Sequence, residues 1–591
     1  MLHVMYKFLS ISLVFVLIIC NLHSFAQFYN GSHQEFGKNR VQYREFLWSI
    51  YKFQRYDVYF YTGGKEIAIY TAKSADKIIE ETEDFFDYGL EGKIQFLIYN
   101  KLSDLRQSNI GLTTDEQSNI GGVTQIVGSK IFLYFEGDHQ KLLQQIRAGI
   151  AEILLSQMMY GGNWKDRVKN STLLTLPDWY LQGLISYTST GWNVEIEDRV
   201  RDGILSGKYE KFNHLTGDEA IYAGHSIWDF IVERYGESLI PSIIYMTKIS
   251  RNVESGFLFV LGASLKSLTS DWLDYYHNKF YGLDKLRSLP SPDSMLTKPK
   301  KARVYSQLKM SPDGKHAAFV TNQIGKYKVW IYDFNTRKKH RILKTGFKLD
   351  RLNDYSYPLL TWHPSAKFLS IITEKKDKIM LTYYTVSTRK TEAREFHQFQ
   401  KILDFSYSND GKKLVLSAVQ KGQSDIFVYN VATNKYDQIT KDLYDDLYPR
   451  FIHNSKEIIF SSNRTNNTIR QIANQDETIS PFSINQQMSK DLFLYNYKSK
   501  SNILKRVTNT PFINEIHPLE YDSLHVSYLS DNNGISNRYL VLFDSVISHV
   551  DTITHYRYVT TSFPITNSSR NIIEHDANYV PQALRFDKSD T

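Results

Sequence analysis

Cysteine is almost absent: Cys20 is the only one in 591 residues. It ends an apolar run, FLSISLVFVLIIC from Phe8 to Cys20, which follows a short start carrying Lys7. The run is short for a bilayer span. The small-residue pattern Ser24-Phe25-Ala26 follows it, so residues 1–26 read as a secretion signal cleaved before Gln27. Lipidation at Cys20 is disfavoured by the bulky Ile19 before it. Cleavage removes the only thiol, which excludes disulfides, a cysteine nucleophile and a cysteine metal site.

Long apolar segments are otherwise missing, so no transmembrane helix is expected in the mature chain. An excess of one charge is also nearly missing: 71 Lys and Arg stand against 63 Asp and Glu, a net charge of +8. The longest basic runs are KPKKAR, Lys298 to Arg303, and RKKHR, Arg337 to Arg341. Both read as solvated surface, and no nucleic-acid partner is expected. There is no G-x-S-x-G, no phosphate-binding glycine loop and no H-E-x-x-H.

What is abundant is aromatic: 41 Tyr and 34 Phe, a composition that favours strands. Two halves differ in period. From about residue 36 to 286, strands alternate with helices. YDVYFYTG (Tyr56 to Gly63) and KIQFLIYN (Lys93 to Asn100) read as strands. SADKIIEETEDFFDYGL reads as a helix capped by Ser74. HQKLLQQIRAGIAEILLSQMMY, HSIWDFIVERYG and LTSDWLDYYHNKFYG carry apolar residues at steps of three and four and read as helices. Residues 287–302 hold three prolines and a basic end, and mark a linker.

Beyond it the chain repeats. MSPDGKHAAFVTN, WHPSAKFLSIITE, YSNDGKKLVLSAV, IHNSKEIIFSSNR and EYDSLHVSYLSD are each a turn followed by an alternating strand. A second strand follows in KVWIYD, DIFVYN and DLFLYN. Lys315, Lys367, Lys412 and Lys456 are spaced by 52, 45 and 44 residues. A period of about 40–50 residues with several strands per repeat is that of a β-propeller blade. One sheet cannot bury both its faces; stacking blades around an axis does. Five repeats are clear, and the tail from Thr552 to Phe586 supplies strands for a sixth. The expected fold is therefore an α+β domain over 36–286, followed by an all-β propeller of about six blades over 303–591. A polar insert, 465–490, separates two strands of one repeat.

The repeats SPDGKHAAFVTN with KVWIYD, and SNDGKKLVLSA with DIFVYN, resemble the TolB-type propeller family. That resemblance implies a periplasmic protein-binding platform. The first half resembles a family of Bacteroidetes-type exported proteins that join a gluzincin-like peptidase domain to such a propeller. The resemblance lies in FGKNRVQYREFLW, YDVYFYTGG, QMMYGG and LPDWYLQGLISY. It implies a zincin-like fold. In active members two His of H-E-x-x-H grip zinc, the Glu between them activates water, and a further Glu comes from the next helix in W-x-x-E-G-x-x-E-Y.

Counted back from Tyr160-Gly161-Gly162, the H-E-x-x-H slot falls on Ala148-Gly149-Ile150-Ala151-Glu152. Ala148 and Glu152 stand for the two His, and Gly149 for the catalytic Glu. Gln182 and Ser186 stand where the second motif has Glu, while Pro177, Trp179, Gly183 and Tyr187 keep the pattern. The domain's other histidines, His139, His214, His225 and His277, are nowhere four apart. The degenerate positions Ala148, Gly149, Glu152, Gln182 and Ser186 therefore imply a pseudo-peptidase, with no catalytic residue, metal or cofactor. Asp178 after Pro177 suits a helix N-terminus. Asp445-Asp446 suits an inter-blade loop, with Ca²⁺ as the lesser alternative. The expected role is an exported, periplasmic or outer-membrane-associated scaffold that binds envelope proteins through a propeller face and the 465–490 insert. Its alternatives are a hydrolase with a rearranged site and a propeller that binds glycan or peptidoglycan fragments.

Overall fold

The computed structural model describes residues 40–108, 125–127, 129–161, 176–285, 287–288, 300, 302–348, 353–469, 489–550, 554–577 and 584–587. The secretion signal, the QMMYGG terminus at Gly162 and the centre of the 465–490 insert lie outside them. Among the described residues no helix is long and apolar enough to cross a membrane.

The N-terminal unit is built on a mixed five-stranded sheet. Its strands are β1 (Ser49–Lys52), β2 (Tyr56–Phe60), β3 (Ile94–Tyr99), β4 (Gln125–Val127) and β5 (Lys130–Tyr134), in the order β1-β2-β3-β5-β4. β2, β3 and β5 run parallel, and the two edge strands are antiparallel to their neighbours. Helix α1 (Lys65–Phe86) makes the crossover from β2 to β3. It begins nine residues before the expected cap: Ser74 lies inside it, buried, because Tyr70, Thr71 and Ala72 extend the same apolar face. A four-residue turn, α2 (Leu102–Leu105), follows β3. Helix α3 (His139–Tyr160) covers the bounds its periodicity sets, and Asp138 caps it by accepting from the N–H groups of Gln140 and Lys141.

The remaining helices are α4 (Asp178–Ser189), α5 (Val194–Leu205), α6 (Asp218–Tyr235), α7 (Ile240–Ser250), α8 (Val253–Leu261) and α9 (Leu265–Asp284). α4 and α6 cross backbone to backbone. A Cβ on Gly183 would lie 2.4 Å from Gly224 Cα, and one on Gly224 would lie 2.1 Å from the Trp179 carbonyl oxygen. This crossing sits in the main apolar core, against Trp179, Tyr180, Trp228 and Phe257.

The C-terminal unit is a propeller with five four-stranded blades, not six. Blade 1 holds β6–β9 (Val304–Met310, His316–Gln323, Lys326–Asp333, Lys338–Thr345). Blade 2 holds β10–β13 (Leu359–Trp362, Phe368–Lys375, Lys378–Thr385, Thr391–Phe396). Blade 3 holds β14–β17 (Lys401–Tyr407, Lys413–Gln420, Gln423–Asn430, Tyr436–Gln438). Blade 4 holds β18–β21 (Asp446–Ile452, Glu457–Ser462, Asp491–Asn496, Lys505–Arg506). Blade 5 holds β22–β25 (Glu515–Glu520, His525–Ser530, Asn537–Val550, Thr554–Pro564). Residues 554–564, expected in a sixth blade, are the outer strand of the fifth. Among the described residues a two-stranded hairpin, β26 (Ile572–Asp576) and β27 (Leu584–Asp587), stands in the sixth position, packed between β22 and β6. It closes the ring through side chains: Asp576 accepts from the Met310 N–H at 2.7 Å and Glu574 from the Leu308 N–H at 3.3 Å.

The repeated turn has a local cause. In blade 1 the Ser311 hydroxyl donates to Asp313 and accepts from the His316 N–H, with Gly314 at φ 69°. In blade 3, Ser408, Asp410, Lys413 and Gly411 repeat it, at φ 70°. The residues between the units are not a free linker throughout: Ser288 bonds Asn567 and Ser569, beside the closing hairpin.

The glycine crossing yields a paired test. Gly183→Ala is expected to cost about 1–3 kcal/mol by overpacking, overriding the gain in helix propensity. Gly282→Ala in α9, where an added Cβ meets nothing within 4 Å, is expected to stabilise by up to about 1 kcal/mol. Urea unfolding of both variants measures the difference.

Candidate functional site

The slot that the sequence aligns with a zinc motif lies where α3 packs on α4 and α4 on α6. Its floor is apolar. Ala148 and Gly149 are wholly buried. Gly149 faces β5, and a Cβ there would lie 2.7 Å from Ile131 Cγ2. The glycine thus lets the helix settle onto the sheet, which offsets its poor helix propensity.

Glu152 is half-buried, and no hydrogen-bond donor reaches its carboxyl among the described residues. Desolvation alone pushes that carboxyl up to about 8. Gln182 is buried on α4. Ser186, one turn on, is fully buried, and its hydroxyl meets His225 Nδ1 on α6 at 2.9 Å. His225 is enclosed by Tyr187 and Trp192, with ring centroids at 5.8 and 5.9 Å, and its Nε2 has no partner among the described residues. Burial lowers its pKa to about 3, so it is neutral at every physiological pH.

A Ser–His pair at this distance has the geometry of a nucleophile and its base. Here both side chains have zero exposure, so no substrate meets them. The pair is packing: it satisfies a hydroxyl and one imidazole nitrogen between two closely crossed helices. Sequence spacing could not reveal it, because the two residues lie on different helices 39 positions apart.

A second group converges in the propeller. Asp425, Asp442 and Asp446 bring carboxylate oxygens within 4.8 Å of one another, all buried. Arg464 lies among them, with Nη2 at 2.8 Å from both Asp446 oxygens and Nη1 at 3.2 Å from Asp442. Burial, more than its neighbours, pushes the Asp442 carboxyl up to about 7 and Asp425 well above the usual carboxylate range. A guanidinium with two ionised and one protonated carboxyl keeps a net negative charge, which is cancelled when Asp442 also takes up a proton, and the group ties blade 3 to blade 4. Asp445 lies in the connection between blades 3 and 4, as the sequence suggests, and Asp446 opens β18; both are wholly buried and committed to partners.

Asp445 belongs to the third group, at the interface of the two units. Its carboxylate accepts the backbone N–H of His139 at 2.9 Å and meets His139 Nδ1 at 2.7 Å. Beside it Lys490 reaches Asp138 at 3.0 Å. Burial alone would raise the Asp138 carboxyl, but Lys490 and Lys141 hold it to about 2. Lys401 pairs with Glu136. Lys101 lies 2.8 Å from Glu374 and 2.7 Å from Asp377, and Arg44 bridges Asp104 and Asp377. A cavity of about 310 Å³ opens beside this last cluster, lined by Asn100, Asp104, Asp377, Glu395 and Phe396 among others.

The 465–490 insert therefore cannot serve as a detachable partner loop over its whole length. Ile469 is buried in the core of blade 4, and Lys490 is buried at the interface. One end of the propeller is also taken: the N-terminal unit covers its inner-strand starts, which include Lys401 and Asp445.

No family model and no curated protein matches this chain. Solved structures do. TolB from Acinetobacter baumannii is 16% identical, with a TM-score of 0.28 over 50% of this chain and 60% of its own. The β-propeller domain of the Trilobed protease from Pyrococcus furiosus is 14% identical, with a TM-score of 0.29 over 46% of this chain and 72% of its own. Oligogalacturonate lyase from Vibrio parahaemolyticus is 14% identical, with a TM-score of 0.28 over 42% and 65%. The chain thus spans less than two thirds of that TolB. The propeller itself rests on the strand order given above.

Two variants test these groups. Arg464→Ala leaves three buried carboxyls without their cation, and is expected to cost about 3–5 kcal/mol in denaturant unfolding. Glu152→Gln has a pH signature. With a folded pKa raised above the unfolded one, the wild type loses stability as pH rises from the ordinary carboxylate range to about 8, and is level beyond. The glutamine variant should melt with wild type near pH 4.5 and above it at pH 8.

Proposed function

We propose that this protein is an exported, non-catalytic scaffold of the bacterial envelope, in which a pseudo-peptidase domain of zincin-like descent is held on a TolB-like propeller. The observation that carries this reading is the slot itself. Ala148 and Gly149 are packed away from solvent, and the glycine sits against Ile131 with no room for a side chain. Zinc requires three protein ligands around an open position. The positions offered here are an alanine, a glycine and a lone carboxyl, with Gln182 and Ser186 opposite.

A scaffold needs a rigid display surface, and the propeller provides one. Its end away from the N-terminal unit carries the repeated serine–aspartate turns and suits a protein partner. The cavity beside Asp377 is the alternative place for a small saccharide or peptide end. A rearranged hydrolase rests on a single feature, the partnerless Glu152 carboxyl, which a metal could recruit.

Metal analysis of the purified mature chain separates these readings. No stoichiometric zinc and no peptide cleavage are expected. One zinc per chain, lost in Glu152→Ala, would establish the hydrolase instead. Rebuilding the motif as Ala148→His, Gly149→Glu and Glu152→His is expected to lower the melting temperature by several degrees without yielding a zinc enzyme. Any Cβ at 149 meets Ile131, and overpacking of this kind costs about 1–3 kcal/mol. Adding Ile131→Ala should recover part of the loss.

A further inference from the structure

The two basic runs of the sequence, near Arg303 and Arg341, converge on blade 1. In the β8–β9 ladder Lys328 stands directly opposite Lys344, and Trp330 opposite Arg341. Lys326 shares that face of β8 by the two-residue alternation of a strand. Like charges placed opposite each other in a ladder are destabilising. Among the described residues no carboxylate lies within ion-pair distance of Arg303, Lys326, Lys328, Arg341 or Lys344. Loss of solvent, then Arg303, Arg341, Lys344 and Lys326, lower the Lys328 ammonium from its usual value.

Among the described residues this face meets no four-stranded neighbour, because the sixth position holds a two-stranded hairpin, and Lys326 and Lys328 are half-exposed on it. The opposite face of β8, through Tyr327, Val329 and Ile331, is buried against blade 2. The Lys328 face looks toward the sixth position, where the β26–β27 hairpin packs on the inner strand β6. Among the described residues its buried apolar set is Leu308, Met310, Ala317 and Phe319 on the two inner strands, with Tyr305, Trp330, Tyr332 and Phe334 partly buried against them. At the end of the same ladder, between Lys344 and Lys348, Phe347 is 82% exposed. An aromatic ring held in water beside unpaired cations suits a lipid surface: the cations meet anionic headgroups, and the ring enters the interface.

We propose that the uncovered face of blade 1, Arg303, Lys326, Lys328, Arg341 and Lys344 with Phe347, is a docking surface for an anionic phospholipid bilayer. It would hold the exported protein against a membrane without a spanning segment. A lipid surface is chosen over a soluble polyanion because it engages both features, taking the cations at its headgroups and the exposed Phe347 ring into its apolar boundary.

Co-sedimentation of the mature chain with vesicles tests this. Binding is expected to phosphatidylglycerol–phosphatidylcholine vesicles at low salt, and not to pure phosphatidylcholine. High salt should release the protein, since the Debye length falls to about 3 Å at 1 M. Each cation near the surface is worth about fivefold in partition. The triple reversal Lys328→Glu, Arg341→Glu and Lys344→Glu should therefore lower binding by about 100-fold or more. Phe347→Ser should weaken it at constant charge by about tenfold. Arg341, Lys344 and Phe347 are exposed and Lys328 is half-exposed, so melting temperatures of the variants should stay at or above that of wild type. Should the reversal disturb folding, the neutral Arg341→Gln with Lys344→Gln carries the same comparison. No binding to anionic vesicles, or binding that ignores both sets of variants, overturns the proposal. Retention by a soluble acidic polysaccharide without vesicle binding also overturns it, assigning the patch to a polyanion.

Discussion

The N-terminus of α3 is the point at which the two units hold each other. A helix start offers N–H groups that its own turns cannot satisfy, with a partial positive charge. Asp138 takes two of these donors from within the unit, and Asp445 takes that of His139 from the propeller. Lys490 then balances Asp138, and His139 meets Asp445 side chain to side chain. The His139 N–H and the Lys490 ammonium find these partners only when the other unit is in place. The same helix carries Ala148, Gly149 and Glu152, so it is fixed by the propeller at one end and by β5 along its side. Buried ion pairs are weak evidence for stability, but they specify geometry, because a shifted interface would leave charges uncompensated.

The propeller has been adapted to this contact. The hairpin turns between the second and third strands of blades 1 and 3 use Ile324-Gly325 and Lys421-Gly422, with the glycines at φ 84° and 75°. Blade 2 uses Lys376-Asp377, with Asp377 at φ 64°. A residue with a Cβ in that region costs about 1 kcal/mol. Asp377 offsets the cost by reaching Lys101 and Arg44 of the other unit. In blade 3 the glycine is needed, since a Cβ on Gly422 would lie 2.5 Å from Ile67. Two equivalent turns thus solve one docking problem differently, by charge in one blade and by close approach in the next.

Much of this was legible in the chain because it is local. The α3 bounds follow from apolar spacing, and the blade turns follow from serine, aspartate and glycine at fixed offsets. The start of α1 was not, since the YTGG that precedes it is a turn signal and Ser74 a plausible cap; tertiary burial of Ile67, Ala68 and Tyr70 decided the boundary. The blade count was misjudged for a related reason. Strand segments can be counted in sequence, but whether residues 554–564 extend blade 5 or begin another depends on register with β24, a pairing that periodicity does not encode. The interface ions were invisible: Lys101 and Glu374 are 273 positions apart, and each taken alone is an ordinary polar residue.

The slot and blade 1 show opposite outcomes for a surface: one is closed by packing, the other is left to solvent. Within the N-terminal unit the slot is closed by packing: Gly149 admits Ile131, and the Ser186–His225 pair fills the space between α4 and α6. Closure was available there because the helices could approach each other. Blade 1 had no such route. Its neighbour is anchored to the inner strand by Glu574 and Asp576, so the outer strands keep a face that nothing described in the fold covers. A face that cannot be buried must be solvated, and charge is the cheapest way to keep it from aggregating. Charge of one sign only, with an aromatic ring left in water at its edge, exceeds what solubility requires, and that excess separates a merely protected edge from one with a use.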